Sequence, residues 1–362
     1  MTVLDSPPEE ITVVPEAPTK AGNDLARRVG SWVVAYFGAL AVFGAFMAVK
    51  GVNPLVAYRD MFDSTLMNSA SLSEVLIKAA PFLLAALAVA VPARGGLVNL
   101  GGEGQIVMGG VAAAGIALGL EGNVASGLVM VAMLVGAMAA GALWAALAGV
   151  LRVGAGINEA ISTLLLNYIA IDVLLYLISG PWKDSAGFGQ LASKPLADDT
   201  RLPTFGSDGR IHLGVFIAMA AAVGIWLLLR STSWGFQLRV AGGNGEAARR
   251  AGLPVAKLLL SGLIAGGAMA GLAGAVHFAG VEGQLRPGMT FGFGYIGFLA
   301  SWLAGHHPIR IAGAALLLGA IAVAGDSLQI DAGLPAASVN VLMAFVLFAV
   351  LGKKPRLAGA SR

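Results

Sequence analysis

The feature that most constrains this chain is a series of ten apolar segments that recur along nearly its whole length. They cover residues 31–49, 74–91, 105–120, 124–151, 161–178, 211–229, 258–281, 291–304, 311–324 and 336–351. A helix that spans a bilayer needs about 20 mostly apolar residues, and a spanning helix satisfies its own backbone hydrogen bonds. The chain is therefore predicted to be an all-α, polytopic membrane protein with about ten transmembrane helices.

Composition supports a lipid environment. Of 362 residues, 57% are hydrophobic and 12% are charged, whereas about 25% of an average soluble protein is charged. The 51 glycines lie mainly among alanines inside the apolar segments, where small residues let membrane helices approach closely. A net charge of +3 and the lack of cysteine predict neither a nucleic-acid partner nor a thiolate metal site, and no residue pattern predicts catalysis or metal binding.

The placement of basic residues predicts the orientation. Most of the 23 lysines and arginines fall in alternate connections, and the positive-inside rule then puts both termini in the cytoplasm. Residues 1–29 and 353–362 are predicted as cytoplasmic tails, the first of them disordered, around a transmembrane domain at 30–352. The connection 180–210 is predicted to be external, either as a solvated loop or as a surface for a partner.

The cytoplasmic connection 230–257 is predicted to contain a short helix. Asn244 is a suitable N-cap, and Gly252 followed by Pro254 is typical of a helix end. The alternative is an ordinary positively charged loop. The residues assigned to the helix are Asn244, Glu246, Ala247, Ala248, Arg249, Arg250 and Gly252.

A glycine-rich polar stretch at 95–105 separates two apolar segments. Such backbone is tolerated at membrane depth only where it is buried in protein or lines a cavity, so Asn99, Glu103 and Gln105 are candidates for a substrate pathway. The alternative is a simple cytoplasmic turn with Glu103 in water.

The fifth apolar segment carries a polar stripe. Glu159, Ser162, Thr163 and Asn167 share one face of a helix. Polar residues inside a membrane helix face the bundle interior or a wet path, so these four are pathway candidates, with hydrogen bonding between helices as the alternative.

The eighth segment carries an aromatic face. Phe291, Tyr295, Phe298 and Trp302 can stack a nucleobase or can serve only for packing, and Tyr295 is added to the pathway candidates. His277, in the seventh segment, is interpreted as a bonded core residue, with a role as a pathway donor as the alternative.

Three motifs resemble one transporter group. Glu246–Ala247–Ala248 followed by Gly252 is similar to the EAA signature of ABC-importer permeases. The stretches 95–105 and 158–170 resemble permeases of the simple-sugar and nucleoside group. The likeness is strongest to the nucleoside branch, which works with a basic-membrane-protein type binding lipoprotein.

The resemblance implies a transport subunit and not an enzyme. The same resemblance implies that partner ABC ATPases, which bind ATP and Mg, dock on the 244–253 helix. Because this chain has no phosphate-binding G-x-x-x-x-G-K-[ST] motif, ATP hydrolysis is expected in those partners, and no cofactor is expected in this chain. The other implied partners are a second permease subunit and an external substrate-binding protein. The second permease is a homologue that forms a heterodimer with this chain or, alternatively, an identical copy. The implied location is the bacterial inner membrane, and the implied substrate is a nucleoside or, alternatively, a simple sugar.

Two other functions fit the same residues. In an ion-coupled secondary transporter, Glu159 and Asp172 would serve as proton sites. In a scaffold subunit without a pathway, replacing the polar stripe would leave function intact.

Overall fold

The computed structural model describes residues 21–351, except for residues 188, 207–208, 291 and 336. Within this part of the chain the helices are α1 (Ala21–Val49), α2 (Pro54–Leu66), α3 (Ser69–Ala93), α4 (Gly102–Leu120), α5 (Ser126–Ala155), α6 (Glu159–Ser179), α7 (Leu213–Ser231), α8 (Ser233–Gly243), α9 (Gly245–Arg250), α10 (Val255–His277), α11 (Phe293–Leu303), α12 (Pro308–Ala332) and α13 (Ala337–Leu351). A 3₁₀ turn covers Asp198–Thr200, and a π-helical turn covers Phe278–Glu282. Strands β1 (Thr204–Phe205) and β2 (Ile211–His212) pair antiparallel.

The prediction of an all-α, multi-pass membrane protein is confirmed. Seven of the described helices are long and apolar enough to span a bilayer, namely α3, α4, α5, α6, α7, α10 with its π-turn, and α12. Helices α1 and α2 form a pair bent by 115°, which makes an eighth span if the pair is one unit. Helices α11 and α13 have only 11 and 15 residues, so the count of ten spans and the cytoplasmic termini remain predictions.

The structure differs from the predicted boundaries at three places. Helix α1 begins at Ala21, inside the stretch 1–29 that was predicted as a disordered tail; residues 1–20 and the predicted tail 353–362 lie outside the described residues. Helices α2 and α8 were not predicted, because both mix polar with apolar residues. Their signals were caps: Asn53 accepts a hydrogen bond from the N–H of Leu55, and Thr232 accepts one from that of Gly235.

Glycine contacts hold the centre of the bundle together. Helices α5 and α10 are so close that a Cβ added to Gly271 would lie 2.0 Å from the carbonyl oxygen of Ala137. A Cβ added to Gly109 of α4 would lie 2.3 Å from the carbonyl oxygen of Gly271. Three helices therefore meet backbone to backbone, as small residues allow in membranes.

The connection 180–212 folds over one end of the bundle. The N–H of Leu196 donates to the carbonyl oxygen of Gly283 at 2.6 Å, and the N–H of Leu202 donates to that of Ala279 at 3.0 Å. Leu196 and Leu202 are both buried. This part of the connection is thus packed against the end of α10, at the end of the bundle opposite to α8 and α9; its use by an external partner remains a prediction.

Candidate functional site

The polar stretch between α3 and α4 is an irregular segment buried in protein. Asn99 donates from Nδ2 to the carbonyl oxygen of Ala88 at 3.1 Å and to Oε1 of Gln105 at 3.0 Å, while Gln105 donates back to Oδ1 of Asn99 at 3.0 Å. Both amides are fully buried. They therefore satisfy each other and fix the segment, which contradicts the alternative of a turn in water.

The polar stripe of α6 lies against this segment. Oε1 of Glu159 accepts from the N–H of Val98 at 3.2 Å, and Oγ1 of Thr163 accepts from the N–H of Leu100 at 3.2 Å. Both side chains are buried. The stripe thus supplies acceptors for backbone N–H groups that lack helical partners because the α3–α4 connection is irregular.

Asn167, one turn after Thr163 on α6, makes further contacts of the same kind. Its Oδ1 accepts from the N–H of Gly104 at 2.8 Å, and its Nδ2 donates to the carbonyl oxygen of Leu100 at 2.9 Å. A Cβ on Gly104 would lie 2.9 Å from the Cα of Asn167, so only glycine fits there. Ser162, the fourth member of the stripe, is also buried, but it donates within its own helix, to the carbonyl oxygen of Asn158 at 3.1 Å.

Glu103 connects the beginning of α4 to the beginning of α11. Its Oε2 accepts from the N–H of Gly294 at 2.7 Å, and its Oε1 accepts from the N–H of Gly292 at 3.1 Å and from the hydroxyl of Thr290. A Cβ on Gly294 would lie 2.1 Å from the backbone nitrogen of Glu103. A buried carboxylate therefore caps a helix N-terminus, where N–H groups are free and the helix dipole favours negative charge.

The aromatic residues of α11 have two different environments: Phe298 and Trp302 pack against other rings, and Tyr295 is exposed beside Asn167. The rings of Phe298 and Trp302 lie 5.8 Å apart, and the Trp302 ring lies 4.9 Å from that of His306, so these side chains serve packing. Tyr295 is 49% exposed, and its hydroxyl lies 3.4 Å from Nδ2 of Asn167. Tyr295 is thus the accessible member of the predicted pathway set, while Phe291 lies outside the described residues.

A cavity of about 680 Å³ opens on the other side of α11, toward the end that carries the 180–212 connection. The walls come from α3, α10, α11, α12 and α13. Lys78 of α3 donates to Asp326 of α12 across it. Phe82 and Phe293, which pack edge to face at 5.1 Å, form part of its apolar wall. Its other polar lining residues are Glu74, His277, Glu282, Gln329 and Asn340.

His277 is bonded, as predicted, and it also lines this cavity. Its Nε2 lies 2.8 Å from the carbonyl oxygen of Met289 and 3.4 Å from Oε1 of Glu282. Arg286 donates to the other oxygen of Glu282. The ring centre of His277 lies 4.6 Å from that of Phe293, and the two rings pack edge to face. Polar contacts therefore connect Arg286 through Glu282 to His277, and the His277 ring packs on Phe293 at the beginning of α11.

Six polar residues of this cavity were not predicted as site residues, namely Glu74, Lys78, Glu282, Asp326, Gln329 and Asn340. A usable signal existed for two of them, because Lys78 and Asp326 are charged residues inside or next to apolar segments, where a charge commonly marks a function. Their pairing had no sequence signal, since the two positions are 248 residues apart.

The short helix after α8 forms as predicted. Oδ1 of Asn244 accepts from the N–H groups of Glu246 at 3.1 Å and Ala247 at 2.9 Å, and Ala248 is buried against the bundle. The exposed side chains of Arg249 and Arg250 both form ion pairs with Glu246, at 2.8 Å and 3.2 Å. The helix presents an ion-paired surface, and Gly252 ends it with a φ of 81°.

Comparison with known proteins finds one family. Residues 71–351 match the family described as branched-chain amino acid transport system / permease component. Among curated proteins, the glucose ABC transporter permease protein of Haloferax volcanii is 32% identical over 342 residues, which covers 90% of this chain and 89% of that protein.

Two further relatives have nucleosides in their names. The guanosine ABC transporter permease protein of Bacillus subtilis is 30% identical over 320 residues, covering 88% of this chain and 91% of that protein. The nucleoside ABC transporter permease protein of Lactococcus lactis is 27% identical over 344 residues, covering 91% and 93%. All three relatives are permease subunits of ABC transporters.

Proposed function

Since this chain belongs to the branched-chain amino acid transport system permease family, and is therefore the permease component of an ABC transporter and not an enzyme, we propose a substrate and a location for it. The proposed substrate is a nucleoside, which the transporter imports across the bacterial inner membrane. ATP drives transport in such systems, which argues against the ion-coupled transporter considered above. Family membership implies ATPase and binding-protein partners. We further propose that the second permease subunit is a homologue of this chain, that the binding protein is a lipoprotein of the basic-membrane-protein type, and that ATP and Mg are bound by the ATPase alone.

Orientation follows from the basic residues. In this proposal both termini and α9 face the cytoplasm, α9 docks on the ATPase, and the 180–212 connection faces the binding protein. The ten-span arrangement counts the bent pair α1–α2 as one span, and α11 and α13 as one each.

The cavity between α3 and α12 is the observation that carries the proposal. About 680 Å³ lies within the 300–1,000 Å³ range of small-molecule sites. Phe82 and Phe293, which pack edge to face at 5.1 Å, form an apolar wall for a nucleobase to lie against. The carboxylate of Asp326 offers acceptors for ribose hydroxyl groups. The cavity lies toward the 180–212 end, where substrate delivered by a binding protein would enter.

Helix α11 separates the cavity from the polar network. Its 11 residues extend about 16 Å, roughly half of the 30 Å hydrocarbon layer, so its N-terminus lies deep in the bundle. Phe293 lines the cavity on one side, and Tyr295 lies beside Asn167 on the other. We propose that α11 moves during alternating access and that Tyr295 contacts the substrate directly.

The other pathway residues support that movement. Asn99, Gln105, Glu159 and Thr163 hold the irregular segment in place, and Glu103 holds α11. Because their polar groups are already bonded, we propose that they position the pathway and reach the substrate only if the segment rearranges. Ser162 contributes to the buried face of α6.

A simple sugar is the second candidate substrate. It is favoured by the glucose permease among the relatives and by the carboxylates and amides of the cavity, which suit any polyhydroxylated ligand.

The two candidates are separated by uptake into proteoliposomes that contain the permease pair, the ATPase and the binding protein. We expect ATP-dependent uptake of labelled guanosine or uridine that unlabelled glucose and ribose do not inhibit. ATP-dependent uptake of labelled glucose or ribose, without uptake of guanosine or uridine, would instead establish the sugar transporter. Uptake without ATP would contradict both.

A further inference from the structure

A second cavity, with a strongly basic lining, lies at the α9 end of the bundle. It has a volume of about 300 Å³, and we call it the basic cavity. The lining side chains that matter here are Arg94, Trp226, Arg230, Arg239 and His307. They come from the end of α3, the end of α7, α8 and the turn before α12, so four parts of the chain meet around one positively charged space.

Within the described part of the chain, no carboxylate neutralises this cavity. The ion pairs at 4.0 Å or less include none of Arg94, Arg230 or Arg239. Arg94 donates one hydrogen bond, from Nη2 to the carbonyl oxygen of His306 at 3.0 Å. Its Nε, and Nδ1 of His307, are buried without a hydrogen-bond partner. The Arg94 Nε–H group is therefore a buried donor without an acceptor in the described part of the chain.

The positive side chains of the basic cavity repel one another. Burial lowers the pKa of the Arg94 guanidinium from its ordinary value, and the neighbouring Arg239 lowers it further. Burial also lowers the pKa of His307, with added repulsion from Arg310 and Arg94. Helix α12 begins at Pro308 without a side-chain cap, so its dipole adds positive potential. An anion would remove this repulsion.

The position of the cavity points to the membrane as the source of that anion. Arg230 lies 5.1 Å from the ring centre of Trp226, in the last turns of α7. Only 28% of the α7 span is buried, so most of its surface faces outward. A tryptophan beside an arginine at the end of an apolar span is typical of the bilayer interface, and basic pockets between such helices bind acidic headgroups.

We propose that the basic cavity binds the phosphate of an anionic phospholipid headgroup from the adjacent leaflet. Arg94 and Arg239 contact the phosphate, and Arg230 and Trp226 hold the glycerol region at the interface. The site is next to the ATPase-docking region, because a Cβ on Gly242 of α8 would lie 2.3 Å from the carbonyl oxygen of Arg94. The bound lipid would thus contact α3, α7 and α8, and α8 is directly followed in the chain by α9.

The test uses the complete complex, purified and reconstituted in nanodiscs of phosphatidylcholine with increasing fractions of phosphatidylglycerol. Native mass spectrometry counts retained lipid, and thermal unfolding measures stabilisation. Arg94→Gln and Arg239→Gln are compared with Lys257→Gln, a matched control at the same end of the bundle outside the cavity. We expect about tenfold weaker phosphatidylglycerol retention in the two arginine variants, as for loss of one charge-assisted contact, and no change in the control.

Arg239 is exposed, so Arg239→Gln should fold even if Arg94→Gln does not. This variant can therefore decide the test by itself. Equal retention by all variants would overturn the proposal. So would stabilisation of the wild type by inorganic phosphate in pure phosphatidylcholine, which would identify a soluble anion. Loss of the ATPase from the arginine variants with unchanged lipid retention would identify an acidic protein surface instead, and would equally overturn it.

Discussion

Glu103 of α4 and Gly294 of α11 join two helix N-termini inside the bundle, with Oε2 of the carboxylate 2.7 Å from the glycine nitrogen. One side chain therefore holds the short helix that separates the polar network from the cavity. The close backbone approach requires glycine at 294, and the free N–H groups of α11 require an acceptor. This contact is the point at which the proposed pathway is most easily tested.

The variant Glu103→Gln is expected to lose transport. Glutamine keeps one carbonyl oxygen for the three donors that Glu103 accepts from, and a buried donor left without a partner costs about 1–3 kcal/mol. We expect a lower melting temperature and at least about tenfold slower uptake in proteoliposomes. Glu121→Gln, an exposed position just after the same helix, is the matched control. Normal uptake by Glu103→Gln would show that α11 needs no anchor at this point.

The variants Lys78→Met and Asp326→Asn are expected to raise the KM for the substrate. Their side chains are partly exposed, so each change should cost only about 0–1 kcal/mol of stability. The double variant should resemble the single ones, because the two residues act as a pair. Arg59→Met breaks an exposed ion pair with Asp63 away from the cavity and controls for charge loss. An unaltered KM in both cavity variants would exclude the cavity from the transport route.

The variant Gly271→Ala is expected to destabilise the bundle. The new methyl group would lie 2.0 Å from the carbonyl oxygen of Ala137, so α5 and α10 would have to separate. Overpacking of this kind costs about 1–3 kcal/mol. Gly224→Ala on α7 has nothing within 4 Å and should be neutral or stabilising by up to about 1 kcal/mol. Thermal unfolding of both variants in one detergent measures the difference, and equal melting temperatures would argue against this packing.

His212, which lies just before α7, is expected to make stability depend on pH. Burial, with a smaller contribution from His277, lowers its pKa to about 4. The folded protein therefore disfavours the protonated form, which the unfolded chain takes up below about pH 6.5. Stability from this group is complete above pH 6.5 and is lost as the pH falls toward 4, by about 2 kcal/mol at pH 5.

The variant His212→Asn tests this expectation. Asparagine can still accept from the N–H of Gly214, as Nδ1 of His212 does at 3.1 Å, but it does not titrate. The loss of melting temperature between pH 7.5 and pH 5 should therefore be smaller in the variant than in the wild type. An identical loss in both proteins would assign the pH dependence to other groups.

The variant Glu246→Lys tests α9 as the docking helix. The change breaks both ion pairs, with Arg249 and Arg250, and places three positive charges together on an exposed surface. We expect the ATPase to be lost during co-purification and uptake to fall with it, while the permease stays folded. Glu121→Lys carries the same charge change near the opposite end. If ATPase binding and uptake both persist in Glu246→Lys, the coupling element lies elsewhere.

Several parts of the site were predictable from the sequence. The spacing of Glu159, Thr163 and Asn167 predicted a buried face, because polar groups avoid lipid. Asn244 and Gly252 predicted the boundaries of α9, because caps act over a few residues. In contrast, the spacing left a pathway role and interhelical bonding open for Glu159, Ser162 and Thr163, and only the depth of Asn167 favoured the pathway. In the structure, Glu159, Thr163 and Asn167 accept from backbone N–H groups of the α3–α4 connection and the first turn of α4.

The all-α membrane architecture is readable from the chain alone, because hydropathy and helical periodicity are local properties that each segment carries with it. The partners of Glu103, the pairing of Lys78 with Asp326 and the meeting of the arginines around the basic cavity are decided only by packing. Each joins positions far apart in the chain, and a buried polar group bonds to whichever partner the surrounding helices bring within about 3 Å. That choice depends on how closely glycines such as Gly271 and Gly294 let the helices approach, which is a property of the assembled bundle.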